Sequence, residues 1–350
     1  MARFLRSPLV WAGFGVSAGA LFLAFRGLHW SEVGGALADA NYGLLLLALV
    51  ILLISLYLRA LRWAVLFYPR TEMRLGALFG AMNVGYAFNN ILPLRVGELA
   101  RAYLIREAEK VSVARALSTI VVERTLDTLT VVALLLITLP FIDAPDWAKG
   151  PVLLLGLGFL GLAVGLAIAS AAQARAMALV AWGVRFLPEP TGKRIEQAAE
   201  AALEGFIVLR QPTILARAAG WSAASWLATA LFTFVVLLAF DLDVPFTASL
   251  FVTAATGLGM VVPSSPGYVG VFHAIAIESL VKVFGVERNP AASYALVQHA
   301  LGYLTPIILG AVFLWRERHT WRELRLWTLG AAATARAPGE SSLDVEDQPG

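Results

Sequence analysis

Two stretches of this chain carry residues that could do chemistry. In the first, Asn89 and Asn90 close an apolar run, Pro93 breaks it, and Arg95, Glu98 and Arg101 follow at three-residue spacing, with Gly97 between them. Glu123, Arg124 and Asp127 then sit inside the next apolar segment. In the second, Ser264, Ser265, Pro266, Gly267 and Gly270 interrupt an apolar run that resumes with His273 and Glu278. Ionisable groups at membrane depth are costly, so they are expected to be paired and to mark function.

The chemistry these types suggest is anion binding. A helix that starts after a break presents unpaired N–H groups and the positive end of its dipole. Gly97 and Gly270 are expected to let a ligand approach that backbone, Ser264 and Ser265 add hydroxyl donors, and the Arg95 guanidinium fits a phosphate. Together they describe a site for an anionic headgroup, most simply a lipid phosphate. The plainer reading is that Arg95 and Arg101 pair with Glu98 and only neutralise a buried helix. Glu123 and Asp127 share a helix face at i, i+4, and Arg124 reaches Asp127 at i, i+3. We expect this trio to act first as ion-pair glue, paired with Arg95 or Arg101, and only second in substrate or proton coupling. His273 is read as a packed polar residue before a proton relay. Gln298 and Tyr303 are candidates for the cavity lining. No Ser/His/Asp set, HExxH, P-loop or dinucleotide fingerprint occurs, so no catalytic residue, cofactor or nucleic-acid partner is expected. The chain has no cysteine and four scattered histidines, so no metal site is expected either.

The elements that must position these groups are membrane helices. Of 350 residues, 59% are hydrophobic and only 15% charged, and apolar stretches long enough to cross a bilayer recur along the chain. Full spans are predicted at Pro8–Phe25, Tyr42–Tyr57, Leu117–Leu139, Val152–Ala171, Ala218–Phe240 and Ala291–Trp315. Residues 26–41 read as a linker. Residues 172–217 read as a polar insertion at the membrane surface, with an amphipathic helix that sets Ile195, Ala199, Ala202, Phe206 and Ile207 opposite Lys193, Arg194, Glu196, Glu200 and Glu204. Residues 331–350 read as a disordered tail. Lys and Arg concentrate in the N-terminus, 59–74, 172–217 and 316–325, which places these segments and both termini in the cytoplasm of a cell-membrane protein. Trp30 and Trp147 on one side, and Trp63, Trp221 and Trp315 on the other, read as interface anchors.

On this topology residues 75–116 leave one side and return to it, and residues 247–290 do the same from the other. Each is predicted to be a re-entrant pair of half-helices, tolerated where it is buried in protein or lines a wet cavity. Both breaks read P-x-x-V-G, at Pro93–Gly97 and Pro266–Gly270, 173 residues apart. The same offset relates the spans, so the fold class is an all-α polytopic membrane protein of about six spans plus two hairpins. They form an inverted repeat over 8–139 and 152–315, within a transmembrane domain of residues 1–330. The alternative is eight ordinary transmembrane helices, with 75–92 and 247–262 crossing fully.

The sequences NNILPLRVGELARAYLI, VVERTLD and PSSPGYVGVFHA resemble the lysylphosphatidylglycerol-synthase transmembrane family, also called flippase-like domain proteins, over nearly the whole chain to about Arg325. The resemblance implies a lipid-translocating membrane unit, with Arg95, Gly97, Glu98, Glu123, Arg124, Pro266, Gly267 and Gly270 at motif positions. Gly267-Tyr268 stands where the family often has two glycines, and His273 where an acidic residue is common. The related synthase carries an aminoacyltransferase domain after its membrane part, and that activity is not expected of this chain. The expected function is therefore a flippase-like transporter of an anionic lipid that is not itself an enzyme. The alternatives are a membrane-embedded lipid transferase with Glu98, Glu123 or Asp127 as base, and a membrane partner of a separate lipid-modifying enzyme.

Overall fold

The computed structural model describes residues 8–92, 96–142, 146–260 and 264–317, with backbone alone at 8–10, 146–153 and 155. Arg95, Pro93 and the tail after 317 lie outside the described residues. The described chain is all helical: α1 Pro8–Phe25, α2 Trp30–Asp39, α3 Tyr42–Leu66, α4 Leu75–Ile91, α5 Gly97–Glu109, α6 Val113–Thr138, α7 Asp146–Ala171, α8 Gln173–Val184, α9 Glu189–Gly205, α10 Pro212–Ala239, α11 Phe246–Gly259, α12 Val271–Phe284 and α13 Arg288–Arg316.

Length and composition sort these helices. Tyr42–Leu66, Pro212–Ala239, Pro266–Phe284 and Arg288–Arg316 are long and apolar enough to cross a membrane. Two bent pairs, α1–α2 at 82° and α7–α8 at 93°, raise the number to six. The lipid-facing sides are visible as exposed apolar stripes at four-residue spacing, Leu46, Val50 and Ile54 on α3 and Leu304, Ile308 and Val312 on α13. The same helices bury small and polar residues on the other side, such as Ala48, Ser55 and Ala60. α6 has the length for a crossing at 26 residues, but Arg115, Glu123, Arg124 and Asp127 keep its composition from being that of a lipid-exposed span.

Three features differ from the sequence reading. Residues 26–41 are not a plain linker, because Trp30–Asp39 folds as α2, packed on α13. α3 runs on to Leu66, since nothing between Tyr57 and Leu66 breaks a helix, and this carries Arg59 and Arg62 into the protein. Trp63 is no interface anchor: it is fully buried and donates from Nε1 to Thr119 Oγ1 at 3.0 Å. The insertion helix α9 docks on the start of α6, where Gly205 leaves room for the Ser118 hydroxyl and Arg115 faces Glu204 at 3.9 Å.

The two broken segments fold as antiparallel helical hairpins. In the first, the Gly97 N–H donates to Asn89 Oδ1 at 2.9 Å near the tip. At the base Glu109 accepts from Arg74 Nε at 2.8 Å, so the end of α5 returns to the start of α4. That return is not the geometry of eight ordinary crossings. In the second hairpin Gly259 packs on Val271 and Ile275 near the tip, and Phe251 meets Phe284 edge-on at 6.0 Å toward the base. α5 and α11 have 13 and 14 residues, about 20 Å each and too short for a hydrocarbon core of about 30 Å. Pro266–Phe284 reaches 19 residues only across the non-helical Gly267, and its regular helix α12 has 14.

Shifted by 173 residues, α3, α4, α5 and α6 fall on α10, α11, α12 and α13 to within five residues at either end. Their packing follows the same exchange: α3 lies on α10, α4 on α13 and α6 on α11. α3 and α10 are antiparallel, since Asn41 bonds the Ala239 carbonyl at one end, Ser55 bonds Thr229 in the middle and Arg62 bonds Ser222 beyond it. Each hairpin follows the C-terminus of one of these two helices, so the hairpins enter from opposite ends. Their tips meet on α13. Asn90 Nδ2 donates to the Tyr303 carbonyl at 3.0 Å, the Tyr303 hydroxyl donates to the Asn90 carbonyl at 3.2 Å, and Gly267 packs against both residues.

The hairpin arms touch backbone to backbone at Gly85 and Gly97, where a Cβ on Gly97 would overlap the Gly85 carbonyl. Gly97→Ala is therefore expected to destabilise the protein by about 1–3 kcal/mol. Gly76→Ala on α4, where nothing lies within 4 Å, stays within about 1 kcal/mol of wild type. Thermal unfolding in detergent checks both.

Candidate functional site

The ionisable residues converge from three helices, α3, α5 and α6, and meet polar side chains of α10. Arg59 and Arg62 share a face of α3 at i, i+3, as do Glu98 and Arg101 on α5. Arg62 is fully buried and donates from both terminal nitrogens to Asp127, at 2.5 and 3.3 Å, and from Nη1 to Ser222 Oγ at 2.9 Å; its Nη2 also lies 3.4 Å from Glu123. Arg101 forms a two-pronged pair with Glu123, one arm at 3.0 Å, and stacks 3.7 Å over the Trp63 ring. Arg124 pairs with Glu98 at 3.1 Å and Asp127 at 3.5 Å. Arg59 lies 3.8 Å from Asp127, donates to Thr229 Oγ1 at 3.2 Å and sits 4.8 Å from the Trp226 ring. Trp226 Nε1 donates to Asp127 Oδ1 at 2.8 Å.

Such a network is stable only as a unit. Removing several charges from water costs several kcal/mol for each, recovered when every carboxylate faces guanidinium groups at bonding distance. Here four guanidinium groups face three carboxylates among the described residues, leaving one positive charge in excess. Arg62, Arg101 and Glu123 are sealed in, whereas Arg59, Arg124, Glu98 and Asp127 reach the wall of a central cavity of about 420 Å³.

This cavity lies between the hairpin tips, walled by α3, α4, α6, α10, α11 and α13, with Glu98 reaching in from α5, Phe159 from α7 and Phe272 from α12. Of the residues singled out by sequence, Asn89, Asn90, Glu98, Arg124, Asp127 and Gly267 line it, together with Gln298 and Tyr303. The Tyr86 hydroxyl, on the same wall, is buried without a hydrogen-bond partner among the described residues.

Several expected ligand groups are occupied by the protein itself. The Gly97 N–H is taken by Asn89, and the Gly85 backbone fills the space beside it. Gly270 has φ +90° and packs on the Ser17 carbonyl of α1, while its N–H donates to His273 Nδ1 at 3.4 Å. The Ser265 N–H donates to Ser17 Oγ at 2.8 Å, and Ser264 packs on Gly13 of α1. Pro266 opens the turn that holds Gly267 and does not line the cavity. The broken-helix starts are thus capped, not open to a ligand, because α1 covers the second one. Arg101 and Glu123 form a buried pair behind the wall and do not reach the cavity. His273 lies behind His299, ring centroids 4.6 Å apart, and His299 is the one that faces the cavity, with Nε2 donating to the Gly267 carbonyl at 2.9 Å. Glu278 sits away from the cavity, paired with Arg288 and Lys282 at 2.9 Å each.

Sequence reasoning missed Arg59, Arg62, Tyr86, Trp226, Thr229 and His299. One signal was present: two arginines at i, i+3 in an unbroken apolar helix match two carboxylates at i, i+4 in another.

The sequence profile of the lysylphosphatidylglycerol synthase TM region matches residues 10–310, from α1 through both hairpins and most of α13. The chain belongs to this family. It is 26% identical over 341 residues to a Haloferax volcanii protein named glycosyltransferase AglD, covering 88% of this chain and 54% of that protein. The chain thus spans about half the length of that relative. It is 25% identical over 295 residues to a protein of Methanothermobacter thermautotrophicus named UPF0104 membrane protein, covering 78% of this chain and 85% of the relative. Membership of the lysylphosphatidylglycerol synthase TM family makes this a membrane protein with a lipid-related role.

The sealed pair tests the idea that the network acts as a unit. Arg101→Met leaves Glu123 with fewer partners and is expected to cost about 3–5 kcal/mol, whereas the double variant Arg101→Met/Glu123→Met recovers most of that loss. A double-mutant cycle by thermal unfolding measures the coupling.

Proposed function

We propose that this protein moves an anionic phospholipid or polyprenyl-phosphate lipid between the leaflets of the cytoplasmic membrane, unchanged chemically. The headgroup occupies the cavity between the hairpin tips, and both chain termini face the cytoplasm. The observation that supports this reading most is that the buried network sets four guanidinium groups against three carboxylates among the described residues, and that two of those guanidinium groups, Arg59 and Arg124, reach the cavity wall. Arg59 and Arg124 approach the cavity from helices α3 and α6, and a phosphate between them would complete the charge balance of the buried network. The apolar part of the lining, including Phe159, Leu258 and Met260, suits the start of the acyl or prenyl chain. Two hairpins that enter from opposite ends and meet around one cavity are also the arrangement in which rocking of either one exposes a midplane site to one side.

A second reading rests on the length of the glycosyltransferase relative: a membrane half that presents a lipid to a separate modifying enzyme. It predicts that lipid binds but does not cross leaflets until that enzyme is present.

The test is a leaflet-exchange assay in proteoliposomes with fluorescent phosphatidic acid, preceded by native mass spectrometry of the purified protein. Arg59→Gln/Arg124→Gln is expected to slow exchange and weaken retention by about tenfold to a hundredfold, the worth of one charged hydrogen bond. Exchange equal to wild type in a variant with an unchanged melting temperature would overturn the proposal.

A further inference from the structure

The two repeats are alike in backbone but not in chemistry. Among the described residues, every Asp, Glu, Lys and Arg that lines the cavity comes from the first repeat: Arg59, Glu98, Arg124 and Asp127. The described residues that the second repeat brings to the cavity wall include polar groups but no Asp, Glu, Lys or Arg.

The change runs along one face of α10. Trp226, Thr229 and Thr233 stand at i, i+3 and i+7, and all three line the cavity. Trp226 donates to Asp127 and Thr229 accepts from Arg59, so this end belongs to the charged network. Two turns on, Thr233 Oγ1 accepts from Gln298 Nε2 at 3.0 Å and from Thr253 Oγ1 at 2.9 Å. The distance from Trp226 to Thr233 along the helix is about 10 Å. That is room for a phosphodiester and one six-membered ring. Thr and Gln side chains both donate and accept, which suits hydroxyl groups that do the same. The rings of Phe272 and Tyr303, also in the wall, offer flat apolar faces to a saturated ring. An ammonium or guanidinium head would need a carboxylate, and among the described lining residues the second repeat supplies none.

We infer that the cavity is a two-part site: phosphate against the α3–α6 wall, and an uncharged, hydroxyl-rich ring, such as a sugar or cyclitol, against Thr233, Thr253 and Gln298. This rests on the anionic-lipid reading above and narrows it to phosphodiester lipids with a polyhydroxyl head.

Two lipids of equal charge and equal acyl chains separate the ideas: phosphatidylinositol, whose head carries hydroxyls, and phosphatidylethanol, whose head carries none. They are offered to the full-length protein in detergent and their retention compared by native mass spectrometry. Phosphatidylinositol is expected to be retained about tenfold more than phosphatidylethanol, the worth of one or two neutral hydrogen bonds. Thr233→Val/Gln298→Leu brings phosphatidylinositol down to the phosphatidylethanol level. Equal retention of the two lipids by the wild-type protein overturns this inference and leaves the anionic-lipid reading standing. Retention of neither overturns that reading as well.

Discussion

The buried position of Arg62 is the constraint on which the rest depends. Its guanidinium group sits between Asp127 and Glu123 with no access to water, so α3 and α6 are fixed to each other in register. Glu123 then requires Arg101, which draws the first hairpin onto α6. Asp127 requires Trp226 and Arg59, which ties in α10. None of these contacts is worth much by itself once desolvation is counted. Their value is that any slip of one helix strands a charge in an apolar interior, so the network selects one arrangement among the many that greasy helices permit.

A second organising feature is the antiparallel pair α3–α10. Packing clusters form around each C-terminal half, one with the first hairpin and one with the second. The pair therefore belongs to both repeats and holds the cavity between them. The repeats have diverged at the cavity wall, where one supplies charge and the other neutral hydrogen-bonding groups. A scaffold of this kind keeps its two-fold geometry in helix packing, with α4 on α13 and α6 on α11 about the α3–α10 pair, while side chains at the wall are free to differ.

Much of the fold was legible in sequence because the solvent imposes it. Apolar length gave the helices, and the repeated P-x-x-V-G with its common offset gave the two hairpins. Charge at membrane depth led to the expectation that Glu123, Arg124 and Asp127 pair with Arg95 or Arg101; in the structure Glu123 takes Arg101. The errors have one physical source, contacts between residues far apart in the chain. Arg59 and Arg62 read as a basic loop because they follow an apolar run, whereas their partners lie on helices that come later. Gly97 and Gly270 read as places for a ligand to approach, but a glycine serves close approach of any atom. The atoms here are the carbonyls of Gly85 and Ser17. His299 was overlooked because a lone histidine in an apolar helix gives no sign of facing a cavity until Gly267 is placed against it.

The hairpins are built with unequal strength along their length. The arms of the first are locked by backbone contact at Gly85–Gly97 and by the Glu109 carboxylate under Arg70 and Arg74 at the base, and those of the second by Gly259 packed on Val271 and Ile275. Their tips hold each other through Asn90, Gly267, His299 and Tyr303 by a few neutral hydrogen bonds. In mechanical terms each hairpin is a stiff lever with a weak latch at its free end. A load on the structure releases the latch before it bends the lever, so the plane between the tips is where the two halves part.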